Sequence, residues 1–233
     1  MEWNSEAVVG VFAAMIAIMS LGMNWLVVRQ QMKLQGEGLR VQLEVDVLAW
    51  AQEAINVLSE GMALASGRGQ IVSGDDVRRR AHDISNRLSA LADRGRLFFP
   101  NERLGDFGVE NAGAYQGVRP PILDAVVFAS CAVQSIDPNA EGPDDDAFKL
   151  LLNSRRLTVS EAQNAIDPRR RRDILNMLKK GRLDDVRPSQ QVVTELHAAL
   201  ARRMPDAQVV KAWAESREAL AAAAATAPKP PRA

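Results

Sequence analysis

Apolar positions along this chain follow two patterns. From Ala7 to Val28, AVVGVFAAMIAIMSLGMNWLVV, 22 residues pass without a formal charge. Beyond Val28, apolar residues recur every three or four positions among charged ones, which is the spacing of a helix face. Leu43, Val47, Trp50, Ala54 and Leu58 form one such line. Gly36 and Gly38, just before it, either kink that helix or divide it. Val77, Ala81, Ile84, Leu88 and Leu91 fall at strict 4-3-4-3 spacing, a narrow seam suited to a partner helix. Asp75 and Asp76 open this helix, and Gly95 with Pro100 close it.

Pro120 and Pro121 start a buried helix, PILDAVVFASCAVQSI. DDDAFKLLLNSRRLTVSEAQNAI is the next. Asp167 and Pro168 then cap RRRRDILNMLKKG, which Gly181 ends. SQQVVTELHAALARRM and PDAQVVKAWAESREALAAAAATA complete the series. No segment shows sustained alternation of period two. The expected fold class is all-α, with one N-terminal transmembrane helix followed by a cytoplasmic helical bundle. The expected divisions are 1–6 as a short external N-terminus, 7–28 as the span and 29–65 as a helical extension. Residues 66–226 form the bundle and 227–233 a disordered tail.

The first stretch reads as a span on length. At ~1.5 Å per residue it reaches roughly 33 Å, enough for a hydrocarbon core of about 30 Å. A cleaved signal needs a positive start and small residues at the cut. Here Glu2 and Glu6 precede the run, and NWLVVRQQMK follows it. Arg29, Lys33 and Arg40 lie after the span and no Lys or Arg before it. The positive side stays inside, so the N-terminus is expected outside and the body in the cytoplasm, at an inner membrane. Trp3 and Trp25 fall near the two interfaces. Gly10, Ala13, Ala17, Ser20 and Asn24 recur along one face, where small residues permit close helix approach and Asn can hydrogen-bond across helices. This face is the candidate for self-association into a homo-oligomer.

Composition narrows the rest. Lys plus Arg number 29 and Asp plus Glu 29, so no overall field favours nucleic acid. The lone Cys131 sits in an apolar helical run and reads as a small buried hydrophobe. Only 5% of residues are aromatic, which disfavours sheet. His82 and His197 are far apart and cannot make a zinc site with one cysteine. DPNAEGPDDDAF departs from the calcium-loop pattern, with Phe148 where a bidentate Glu is required, and reads as an acidic linker capping the next helix. Phosphate-cradling loops, G-x-S-x-G and H-E-x-x-H are missing from the sequence. No catalytic residue, metal or cofactor is expected.

Two binding candidates remain. The stretch from Phe98 to Arg119 holds several glycines and no periodicity, and long loops in compact domains are often functional. Phe98, Phe99, Arg103, Asp106, Tyr115 and Arg119 are its candidate contacts, with the two phenylalanines expected to fold back on the core. Ten Lys or Arg lie between Arg155 and Arg187, interleaved with aspartates. The default is a solvated face, with Arg169, Arg170, Arg171, Arg172, Lys179 and Lys180 as candidates for anionic lipid headgroups.

LSALADRGRLFFPN (Leu88–Asn101) and TVSEAQNAIDPRRRR (Thr158–Arg172) resemble segments of bacterial single-pass membrane proteins without an assigned activity. The resemblance covers about 30 residues and implies one N-terminal span followed by a helical cytoplasmic part. It implies no catalytic residues. The expected function is a membrane-anchored interaction module whose partners are the bilayer and a cytoplasmic protein. The alternative is an oligomeric membrane effector of the defence type, pore-forming or membrane-disrupting, assembled through its transmembrane helix.

Overall fold

Helix boundaries follow local chemistry. The structure, a computed structural model, describes residues 5–67, 73–102, 110, 112–167 and 188–226, without the side chains of 5–18, 33, 36, 37, 39, 40, 114, 188 and 219–226. Helix α1 runs Ser5–Gly67 and is not divided at Gly36 and Gly38. Helix α2, Gly74–Gly95, starts on Ser73, whose side chain accepts from the Asp75 N–H, with Asp75 and Asp76 in the first turn and Arg94 in the last. Helix α3, Pro121–Gln134, carries proline at its first position, where no N–H is needed. Helix α4, Asp145–Ile166, is capped by Asp144, which accepts from the Ala147 N–H at 3.1 Å. Helices α5, Pro188–Arg203, and α6, Gln208–Thr226, follow. Among the described residues the only other helical element is the short 3-10 turn Gly113–Tyr115, and there is no strand. The fold is all-α and the body a helical bundle, as the periodicity predicts.

The chain divides into two units, Met1–Asp46 and Val47–Ala233. The bundle therefore takes in Val47–Gly67, which the sequence assigns to an extension ending at 65. The reason is visible in burial. Val47, Trp50, Ala54, Val57, Leu58 and Ala65 are all buried, whereas Leu43, earlier on the same line, is exposed. From Trp50 on, these residues share a core with the whole α2 seam, Val77, Ala81, Ile84, Leu88 and Leu91, and with Leu123, Val126 and Val133 of α3. A second cluster joins Ala125, Phe128 and Ala132 of α3 to Leu150 and Leu157 of α4, Val193, Leu196 and Leu200 of α5, and Val210 and Trp213 of α6. Helix α3 is thus covered on both sides, which is why its sequence is apolar nearly all round.

Arginines off the α2 seam join it to α1. Arg87 meets Glu60 through two hydrogen bonds, which raises its pKa, and Arg94 meets Glu53. Both pairs are largely exposed and contribute little each. The acidic linker does cap α4, and Asp144 also pairs with Arg203 of α5. Phe98 and Phe99 pack on the first core cluster.

Gly95 has a role beyond ending α2. A Cβ there would lie 2.6 Å from Leu123 Cδ2 and 2.9 Å from Trp50 Cζ2. Gly95→Ala is expected to lower stability by about 1–3 kcal/mol, the usual cost of overfilling a packed core. Chemical denaturation compared with Gly67→Ala, where a Cβ meets nothing within 4 Å, checks this.

In the unit Met1–Asp46, the described side chains from Met19 to Val28 are exposed, Met19 at 71% and Leu21 at 75%. Among the described residues no helix is long and apolar enough to cross a membrane. Side chains of the apolar stretch are described for Met19–Val28. The side chains of Gly10, Ala13 and Ala17 lie outside the described residues, while Ser20 and Asn24 are exposed.

Candidate functional site

A carboxylate inside an apolar helix needs partners, because burial penalises its charge. Asp124 is such a group, 1% exposed near the start of α3. Two arginines reach it. Arg119 Nε lies 3.0 Å from Asp124 Oδ1, and an Arg217 nitrogen lies 3.5 Å from Oδ2. The Trp213 indole Nε1–H donates to Oδ2 at 3.0 Å. Burial pushes the Asp124 carboxyl up, outweighing the downward pull of Arg119, Arg217 and Trp213. These contacts tie the end of the loop and helix α6 to the head of α3.

Aromatic groups extend the cluster. Trp213 stacks on His197 at 4.2 Å between ring centroids, and the Arg217 guanidinium sits 5.2 Å from the Trp213 ring centroid. His197 Nε2–H donates to the Val210 carbonyl at 3.0 Å, so this histidine joins α5 to α6. Neither histidine is part of a metal-ligating group, and among the described residues there is none. Cys131 is half-buried against the second core cluster, and burial pushes its thiol up. That fits the reading as a small hydrophobe.

The described ends of the loop lie beside this cluster. Glu102 and Val118 exchange backbone hydrogen bonds at 2.9 and 2.8 Å in an isolated antiparallel bridge. Gly117, next to Val118, has a φ of 80°, a conformation that favours glycine. Arg96 lies over the Tyr115 ring at 4.4 Å and donates to Asn101 Oδ1 at 3.3 Å. The Asn101 side-chain N–H donates to the Gln116 carbonyl at 2.8 Å. Tyr115 donates its hydroxyl to Asp93 at 3.3 Å. The result is a cleft of about 370 Å³, lined by Arg96, Tyr115, Arg119, Asp124, Trp213 and Ser216 among others.

The six loop candidates separate accordingly. Tyr115 and Arg119 line the cleft. Phe98 and Phe99 face the core instead, with Phe99 5.3 Å from Trp50 between ring centroids. Arg103 and Asp106 lie outside the described residues. So do Arg169, Arg170, Arg171, Arg172, Lys179 and Lys180, the candidate lipid face. Asp124, Trp213 and Arg217 escaped the sequence reading, although a lone carboxylate in PILDAVVF and an i, i+4 Trp–Arg pair were signals for them. A larger groove of about 930 Å³ runs between α4 and α5, lined by Lys149, Arg156, Glu195 and Arg202 among others. The chain joining those helices, 168–187, lies outside the described residues, and no site is assigned there.

No family model, curated protein or solved structure matches this chain.

Proposed function

We propose that the chain is a single-pass inner-membrane protein whose cytoplasmic helical bundle serves as a membrane-anchored protein-interaction module. The observation that carries this is the exposed apolar surface of Met19–Val28, the second half of a 22-residue uncharged run. An apolar helix without a protein partner is stable when lipid covers it. Arg29 lies 4.8 Å from the Trp25 ring centroid, a cation–aromatic pair suited to the headgroup level at the positive end of the run. The resemblance of Leu88–Asn101 and Thr158–Arg172 to bacterial single-pass proteins agrees with this layout. The bundle presents the cleft and the loop around it as recognition surface.

A second reading has one observation in its favour. Ser20 and Asn24, polar residues within the apolar run, are exposed and lie on the proposed face with Gly10, Ala13 and Ala17. Several copies joined there could disturb the bilayer, and Asn24 would find partners across helices. The mass of the full-length protein in nanodiscs separates the readings. A monomer or dimer is the expected result, because so few helices enclose no lumen. An assembly of four or more that leaks ions from liposomes would replace the module with the effector.

A further inference from the structure

The cleft above Asp124 has the form of a small-molecule site. Its volume of about 370 Å³ falls at the small end of ligand pockets. Its lining joins the apolar Val118, Ala212 and Trp213 to a larger set of polar side chains, Arg96, Asn101, Tyr115, Arg119, Asp124 and Ser216. Among the described residues lining it, two guanidiniums, Arg96 and Arg119, face one carboxylate, Asp124. Asp93, the partner of Arg96 and Tyr115, is more than half exposed and lies outside the lining.

Arg119 meets Asp124 through Nε, and Asp124 divides its oxygens among Arg119, Arg217 and the Trp213 indole. Arg119 itself lines the cleft and is partly exposed, so its guanidinium is within reach of a ligand there. The fork matches a carboxylate in geometry, and the pair is strong where water is partly excluded. With Asp93 beside Arg96 and Arg217 beside Asp124, three guanidiniums meet two carboxylates, and one added negative charge balances them. A dianion overshoots it and meets Asp124 as a like charge.

We propose that this cleft binds a small organic monocarboxylate, its head on Arg119 and its body against Val118, Ala212 and Trp213. The bundle is then a receptor for a small acid. Every lining residue belongs to Val47–Ala233, so this inference stands apart from the membrane reading.

The probe is benzoate, observed by saturation-transfer NMR on the full-length protein in detergent. Benzamide, its neutral counterpart, reports partition into the micelle, and inorganic phosphate reports general anion binding. Benzoate is expected to bind at least tenfold more tightly than benzamide and to resist displacement by equimolar phosphate. Ala212→Leu fills the cleft without touching the charged groups and should weaken benzoate at least tenfold. Arg119→Lys keeps a partner for Asp124 but loses the fork, and should weaken benzoate several-fold while the helical circular dichroism is kept. Equal signals from benzoate and benzamide, a preference for phosphate, or unchanged binding in Ala212→Leu would each overturn the proposal.

Discussion

Replacing Trp50 with alanine should lower the stability of the bundle by about 3–5 kcal/mol, the range for deleting a fully buried large aromatic side chain. Trp50 has no exposed surface. It packs against Phe99 and lies beside Gly95, the position where a methyl group has no room. Its indole N–H donates to the Leu91 carbonyl at 2.9 Å, joining α1 to the end of α2. A domain of this size has about 5–15 kcal/mol in total, so the loss is a large share. Trp50→Phe separates the two contributions. It keeps a ring and loses the donor, and should cost about 1–2 kcal/mol. Urea titration followed by circular dichroism reads both. A cost below about 1 kcal/mol for Trp50→Ala would mean that Val47–Gly67 does not belong to the core.

Removing residues 1–46 should shift the protein from the membrane pellet to the supernatant under alkaline carbonate, with the bundle still helical. Ten Val, Ile, Leu and Phe residues lie between Ala7 and Val28. At ~0.3–0.6 kcal/mol each they favour insertion by about 3–6 kcal/mol, against which Asn24 is the main opposing residue. The cut falls where the chain divides into its two units, so it leaves Val47 and Trp50 in place. A full-length chain released by carbonate would show that the stretch is covered by protein and not by lipid. A truncated chain that stays in the pellet would move the membrane contact to the bundle.

The helices were legible in the sequence because helix formation is local. The 4-3-4-3 seam of α2 is buried at every position, and α4 ends at Ile166 where the pattern predicts. Asp144 as a cap and Pro121 at the start of α3 follow from rules that span only a few residues. The boundary between the units was less legible. Leu43 and Val47 share one helical line, yet only Val47 is buried, and nothing within the line distinguishes them.

The cleft was half legible. Glycines and broken periodicity marked the loop, and that brought Tyr115 and Arg119 into view. Phe98 and Phe99, expected to fold back, do pack on the core, Phe99 against Trp50 of α1. The chemistry of the cleft depends on a pairing that no local rule contains. Trp213 and Asp124 stand 89 residues apart. Either alone reads as an apolar-face tryptophan or an odd carboxylate in a buried helix. The sequence by itself determined which of the described segments are helices, which face of the bundle helices is apolar, and that Ala7–Val28 is uncharged throughout. Only the tertiary structure decided that α3 lies between two clusters of core. Helix α6 thereby reaches the head of α3, and a buried carboxylate meets its arginines. Burying apolar stripes sets how helices pack, and packing sets which distant polar groups share one low-dielectric site.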